Sequence, residues 1–212
     1  MVIAMRGLLI KELRNIRRYA KTLLILLVFY TALSFTWGNG EGSFLSGMIV
    51  MLVLIMSITS FSYDDLCKWD RYALTLPLTR REIVRSKYLF AMILLGAGLL
   101  LALLAGVGLS LAGGGEGLAE TLASVAGSLI AALFLISVMI PLIYRFGTEK
   151  SRLILFAVAV LPTAVLFLLY QFGVPVTERA LKIALFAAVP ASVVLFYLSY
   201  RVSAAIYERK EF

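Results

Sequence analysis

A chain of 212 residues that does chemistry needs side chains able to carry protons, attack as nucleophiles or hold a metal, and this one is poor in all three. It contains no histidine, which removes the imidazole proton carrier near pH 7 and the commonest zinc ligand. Its single cysteine, Cys67, excludes a disulfide scaffold. The 12 acidic residues are scattered rather than paired, so no carboxylate metal centre and no acid–base couple stands out. No GxxxxGK(S/T) phosphate loop occurs, so the chain does not bind and split ATP by that route. The expectation is a protein that is not itself an enzyme, with no catalytic, cofactor-binding or metal-ligating residues. What chemistry-bearing residues there are concentrate in Ser62–Lys87, reading SYDDLCKWDRYALTLPLTRREIVRSK, where charges alternate with Leu66, Trp69, Tyr72, Leu74 and Leu76. Charges interleaved with aromatics serve recognition rather than bond breaking.

The elements that must position this segment follow from composition. Apolar residues make up 62% and charged residues 15%, against roughly 45–50% and about 25% in ordinary globular domains. The mean hydropathy is +0.98. A soluble globule and a disordered chain are excluded, and an all-α polytopic membrane protein is expected. A spanning helix needs roughly 20 mostly apolar residues, and six stretches qualify: Thr22–Trp37, Phe44–Phe61, Tyr88–Ala112, Thr121–Tyr144, Leu153–Phe172 and Ile183–Tyr200. No Asp, Glu, Lys or Arg lies inside them. Ion-driven transporters, proton relays and intramembrane hydrolases place such residues at depth, so the energy for any transport must come from elsewhere.

Charge gives the orientation. Eighteen of the 20 Lys and Arg residues lie in residues 1–21, 62–87, 145–152 and 201–212, and the loops on the opposite side hold only Arg179 and Lys182. By the positive-inside rule both termini are cytoplasmic. The net charge of +8 therefore reports topology rather than nucleic-acid binding. The outer loops Gly38–Ser43, Gly113–Glu120 and Gly173–Arg179 are too short for an external domain. The chain reads as one membrane domain: residues 1–21, spans one and two over 22–61, a cytoplasmic loop over 62–87, spans three to six over 88–200, and a tail over 201–212. In the first segment Met5, Leu8, Leu9, Leu13 and Ile16 recur at helical spacing among basic residues, the pattern of an amphipathic helix lying on the inner leaflet.

Within the spans, Gly98, Ala102, Gly106 and Ser110 fall at four-residue spacing, as do Ala123, Gly127 and Ala131. Such stripes let helix backbones approach closely, and packing inside the bundle is the simpler reading over a dedicated dimer face. Pro162 and Pro190 lie within spans five and six, where each removes a backbone donor. In the loop, Leu66, Trp69 and Tyr72 recur every three residues, which predicts one side of a short helix that stops before Pro77. Thr79 with Glu82 three residues on predicts a capping box opening a second short helix. Two such helices outside the bilayer suit docking onto a partner, and the plainer alternative is a surface hairpin that only snorkels its basic groups. Cys67, on the reducing side, is expected to remain a free thiol.

The run from Asp64 through Trp69 and Tyr72, then Leu76-Pro77-Leu78-Thr79-Arg80, Ile83-Val84 and Ser86-Lys87-Tyr88, resembles the ABC-2 type permeases. More narrowly, it is similar to their short six-helix branch that includes the exporters of phenol-soluble modulins and antimicrobial-peptide immunity permeases. The resemblance implies the membrane half of an ABC exporter. Two copies would form a homodimer in the cell membrane, each docked on a separate ATP-binding subunit that holds ATP and magnesium. It implies a coupling helix at about Tyr63–Leu74, with Trp69 and Tyr72 as anchors. The interface would take in Tyr63, Asp64, Asp65, Leu66, Lys68, Trp69, Asp70, Arg71 and Tyr72, with Arg145, Glu149 and Lys150 as a smaller second contact. The cargo implied is an amphipathic cytolytic or antimicrobial peptide. The alternative is a six-span substrate-binding subunit of a vitamin uptake system, against which stand the long basic loop and the lack of a polar binding pocket. A membrane enzyme finds no catalytic constellation to support it.

Overall fold

The computed structural model describes residues 6–15, 17, 21, 25, 28–29, 32, 42–111, 117–172 and 178–210. These are helical nearly throughout, with no strand among them. The elements are α1 (residues 6–15), then α2 (Gly42–Leu66), α3 (Trp69–Ala73), α4 (Arg80–Leu111), α5 (Leu118–Phe146), α6 (Thr148–Gln171) and α7 (Glu178–Arg209). Among the described residues four helical stretches are long and apolar enough to cross a membrane: Gly47–Leu66, Arg80–Gly108, Leu118–Phe146 and Ala187–Arg209. The expected span Thr22–Trp37 lies mostly outside the described residues, as do the outer loops Gly38–Ser43 and Gly173–Arg179 and the first half of Gly113–Glu120. The expected span Leu153–Phe172 falls on α6. The chain divides into two compact units, residues up to Ala132 and residues from Leu133.

The first unit is built on a close seam. A side chain at Gly98 would meet Val53 Cγ2 at 2.7 Å and Ile49 Cγ2 at 3.2 Å, and one at Gly106 would meet Thr121 Cγ2 at 2.5 Å. Only glycine lets α4 lie this near both α2 and α5. Ala102, between the two glycines, is buried with Ile49 and Val125. The small-residue stripe of span three is therefore internal packing. The matching stripe on α5 is different: nothing stands within 4 Å of a side chain built at Gly127.

Polar side chains along the helices are satisfied locally. Ser57, Thr59 and Ser62 donate to the carbonyls of Val53, Ile55 and Ile58, and Ser124, Ser128 and Ser137 donate to those of Thr121, Ser124 and Leu133. Lipid offers no other partner. Large apolar side chains stand exposed along the outer helices, among them Leu100 and Leu104 of α4, Phe156 and Phe167 of α6 and Val193 and Tyr197 of α7. In water that surface would be an aggregation liability, and in a bilayer it is the expected finish.

In the second unit α5, α6 and α7 run unbroken through Pro141, Pro162 and Pro190. Pro141 has no N–H to give the Ser137 carbonyl four residues earlier. Ser199 of α7 supplies the missing donor, its hydroxyl lying 2.6 Å from that oxygen. Tyr144 and Tyr207 meet edge to face with centroids 5.2 Å apart, and Tyr207 is fully buried.

Candidate functional site

The segment Ser62–Lys87 is a hairpin carried between two long helices. α2 does not stop at the expected membrane boundary but continues to Leu66, and α4 begins at Arg80 rather than Tyr88. A helix that leaves the apolar layer keeps its backbone bonds, so nothing ends it until a breaker or cap intervenes. The cap at Thr79 is as the spacing predicts: the Glu82 N–H donates to Thr79 Oγ1 at 3.3 Å, and the Thr79 N–H donates to Glu82 Oε2 at 2.9 Å. It opens α4 itself, however, and not a separate short helix.

The single coupling helix expected over Tyr63–Leu74 is also divided. Tyr63–Leu66 form the last turn of α2. Lys68 then takes a left-handed conformation (φ 50°), which ends that helix. Five residues, Trp69–Ala73, make α3. Because the chain turns at Lys68, the three-residue spacing of Leu66, Trp69 and Tyr72 does not produce one stripe. Leu66 and Tyr72 stand out at 78% and 58% exposure, whereas Trp69 is half-buried with its ring beneath the Lys11 ammonium, 4.2 Å from the ring centre. Trp69 and Tyr72 still touch, centroids 5.4 Å apart. Asp65, Cys67, Lys68 and Arg71 are exposed, and Tyr63 and Asp70 are intermediate.

Asp64 is not at the surface. It belongs to a closed ring of four charges beneath the hairpin. Lys11 lies 2.5 Å from Asp64 Oδ1 and 3.1 Å from Glu12 Oε1, and Lys87 lies 2.7 Å from Glu12 Oε1 and 2.6 Å from Asp64 Oδ2. Cations and carboxylates alternate, so the ring is neutral. Ser60 completes it, donating its hydroxyl to Glu12 Oε2 and accepting from Lys87 Nζ at 2.9 Å. The Lys87 ammonium also sits 4.6 Å from the centre of the Phe61 ring. Glu12, Ser60, Asp64 and Lys87 are all buried. Burial by itself raises the Glu12 carboxyl, but Lys87 and Lys11, with hydrogen bonds from Lys87 and Ser60, outweigh it and hold the group below its ordinary value.

The ring ties α1 to the end of α2 and the start of α4, and through Trp69 to α3. It also decides which face of α1 turns inward: Leu8 and Glu12, one turn apart, are buried, while Ile10 and Leu13 are exposed. Met5 and Ile16 of the expected stripe lie outside the described residues. The charge pattern of the sequence accounts for Lys11 and Lys87 as topology and gives Glu12 and Ser60 no role. One signal was present: Glu12 is the only acidic residue in the first 40 positions, set among six basic ones.

The second contact expected at Arg145, Glu149 and Lys150 surrounds Gly147, whose φ of 80° joins α5 to α6. All three side chains are exposed. Arg145 lines a groove on α5 and α7 together with Phe146.

Four long apolar helices and a charged hairpin braced by a buried ion ring describe a multi-pass membrane protein. The family model for "ABC-2 family transporter protein" matches residues 7–208, and the chain belongs to that family. Membership makes it a permease-type membrane subunit that pairs with an ABC ATPase. No curated protein and no solved structure matches it.

Proposed function

We propose that the chain is the permease of an ABC exporter and that the hairpin over the ion ring is where the ATPase docks. The observation that carries this reading is the contrast within the hairpin: its outward face offers Leu66, Arg71 and Tyr72 to a partner, and its base is fixed by the buried ring. An ATPase pressing on such a hairpin moves α2 and α4 with it. The binding set is Tyr63, Asp65, Leu66, Lys68, Asp70, Arg71 and Tyr72, with Trp69 and Asp64 supporting it from beneath. The turn carrying Arg145, Glu149 and Lys150 is the smaller contact. ATP and magnesium act on the partner.

The remaining parts of the reading rest on the resemblance and the charge pattern. The charge asymmetry supports cytoplasmic termini and a place in the cell membrane. Six spans are supported by the six apolar stretches, and α1 is suited to the membrane surface by its exposed Ile10 and Leu13 beside basic residues. Two copies pair as a homodimer. The cargo is an amphipathic peptide, supported by the likeness of Asp64–Tyr88 to the peptide-exporting branch. An amphipathic helix suits a path with no charged residue inside the spans.

Co-expression with a candidate ABC ATPase tests the docking. Wild type should co-purify with it and stimulate its turnover, and Leu66→Ala with Tyr72→Ala should lose both while keeping its helicity. Normal assembly and turnover by that variant would remove the hairpin from the interface. Failure of the wild type to bind any ATPase would reopen the vitamin-uptake alternative. Inside-out vesicles containing the complex should then take up a labelled amphipathic peptide only with ATP, and equal uptake without ATP would defeat the exporter reading.

A further inference from the structure

Within the second unit, α5 and α7 line an open groove of about 360 Å3, a volume within the range of about 300–1,000 Å3 typical of small-molecule sites. Its lining includes Val138, Pro141, Leu142, Leu195, Leu198 and Val202. The two hydroxyls that reach it are already engaged: Ser137 donates to the Leu133 carbonyl in its own helix, and Ser199 to the carbonyl freed by Pro141. The groove floor therefore asks nothing polar of an occupant.

Its end is the opposite. Arg145 lines the groove at the last turn of α5. On α7 the lining residues Leu195, Leu198, Ser199, Val202 and Ile206 follow a helical stripe, and Arg209, three residues beyond Ile206, continues it. Both arginines are exposed, and neither makes an ion pair with a described residue. Arg145 stands only near the Phe146 ring, 5.3 Å from its centre. An open apolar groove with Arg145 on its lining and Arg209 next along its α7 stripe matches a molecule with a long apolar chain and one anionic head.

We propose that this groove is a binding site for an anionic phospholipid of the inner leaflet, its phosphate held by Arg145 and Arg209 and one acyl chain lying along Val138, Leu142, Leu195 and Leu198. The assignment rests on the orientation proposed above, which puts the arginine end in the cytoplasmic leaflet. A guanidinium suits the phosphate because it offers paired donors in a plane. Each arginine near an anionic surface contributes a preference of about threefold to fivefold, so the pair gives roughly tenfold or more.

The test uses the purified full chain in detergent, incubated with phosphatidylglycerol or phosphatidylcholine and read by native mass spectrometry. Wild type should retain phosphatidylglycerol roughly tenfold better than phosphatidylcholine. Arg145→Gln with Arg209→Gln should lower that ratio to near one, and Leu142→Trp, which fills the groove, should reduce retention of both lipids. Equal retention of the two lipids by wild type, or an unchanged preference in the double variant, would overturn the proposal. A Leu142→Trp chain that loses self-association and keeps its lipid would overturn it too, by making the groove a contact between copies. Binding in detergent does not depend on an ATPase, so a failure here is separable from a failure of docking. A preference that persists while Lys and Arg reporters label from the external face of cells would overturn the orientation alone and, with it, the inner-leaflet assignment.

Discussion

Two groups of charges in this protein are treated in opposite ways. Beneath the hairpin, Lys11, Glu12, Asp64 and Lys87 neutralise one another in a buried ring, with every pair between 2.5 and 3.1 Å. Arg145, on the lining of the α5–α7 groove, and Arg209, one turn beyond its last lining residue on α7, are exposed and make no ion pair with a described residue. A neutral, buried ring has nothing left for an outside partner, so its effect is to fix the elements that carry it. Uncompensated arginines do the reverse and leave binding capacity open. The ring is not there to maximise stability, because removing four charges from water costs more than apolar side chains of the same size would. Its product is a defined register of α1, α2, α3 and α4.

The sharpest way to break the comparison is to unbalance the ring. Glu12→Ala leaves Lys87 and the Ser60 hydroxyl facing a void, and should cost about 3–5 kcal/mol, read as a large fall in thermal unfolding temperature in detergent. Glu12→Gln with Lys87→Met removes one charge of each sign and should lose clearly less than the sum of the two single changes. A double variant as damaged as that sum would mean the four groups act independently.

Acid attacks the same ring more gently. Glu12 is held below its ordinary value of 4.5, so the unfolded chain takes up its proton first as pH falls. The stability it contributes is complete above pH 4.5 and is lost as pH drops below that, through the lower folded value. Unfolding followed from pH 7 down to about pH 2 should show this loss setting in near pH 4.5, and Glu12→Gln should flatten it.

In the groove the corresponding weak point is a carbonyl rather than a charge. Ser199→Ala removes the hydroxyl that satisfies Ser137 opposite Pro141, and should cost about 1–3 kcal/mol because no backbone N–H can replace it. Ser128→Ala is the control. Its hydroxyl shares the Ser124 carbonyl with the helix's own bond, so its effect should stay within about 0.5 kcal/mol. Equal effects from the two would mean that the Ser199 bond is not filling a proline gap.

How far the sequence could be read depended on range. Apolar runs reported helices and membrane, because the bilayer imposes length and composition over many residues at once. The Thr79–Glu82 box was legible because its partners are three residues apart. The small stripe of Gly98, Ala102 and Gly106 announced a close seam, though not that Ile49, Val53 and Thr121 would fill it. The ring was not legible: Glu12 and Ser60 are 48 positions apart, and nothing in local spacing brings them together. Nor was the break at Lys68, since a left-handed lysine carries no signature such as glycine would. Pro141 was visible as a proline, but its partner Ser199 stands 58 positions on, in another helix.

Lys11 gives the smallest and most discriminating effect, because it stands between the two treatments of charge. Its side chain keeps 21% exposure where Lys87 keeps 5%, so water reaches one member of the ring. Lys11→Gln should therefore cost only about 1–2 kcal/mol, from the weakened ion pairs and the lost contact over Trp69. What it removes is the link between ring and hairpin. ATPase docking should weaken more than stability does, and Trp69 fluorescence should shift as the ammonium leaves its face. If Lys11→Gln destabilises as severely as Glu12→Ala, the ring is sealed on all four sides and Lys11 belongs wholly with the buried charges. If stability, fluorescence and docking are all unchanged, Trp69 is positioned by α3 alone and the ring stops short of the hairpin it is held to support.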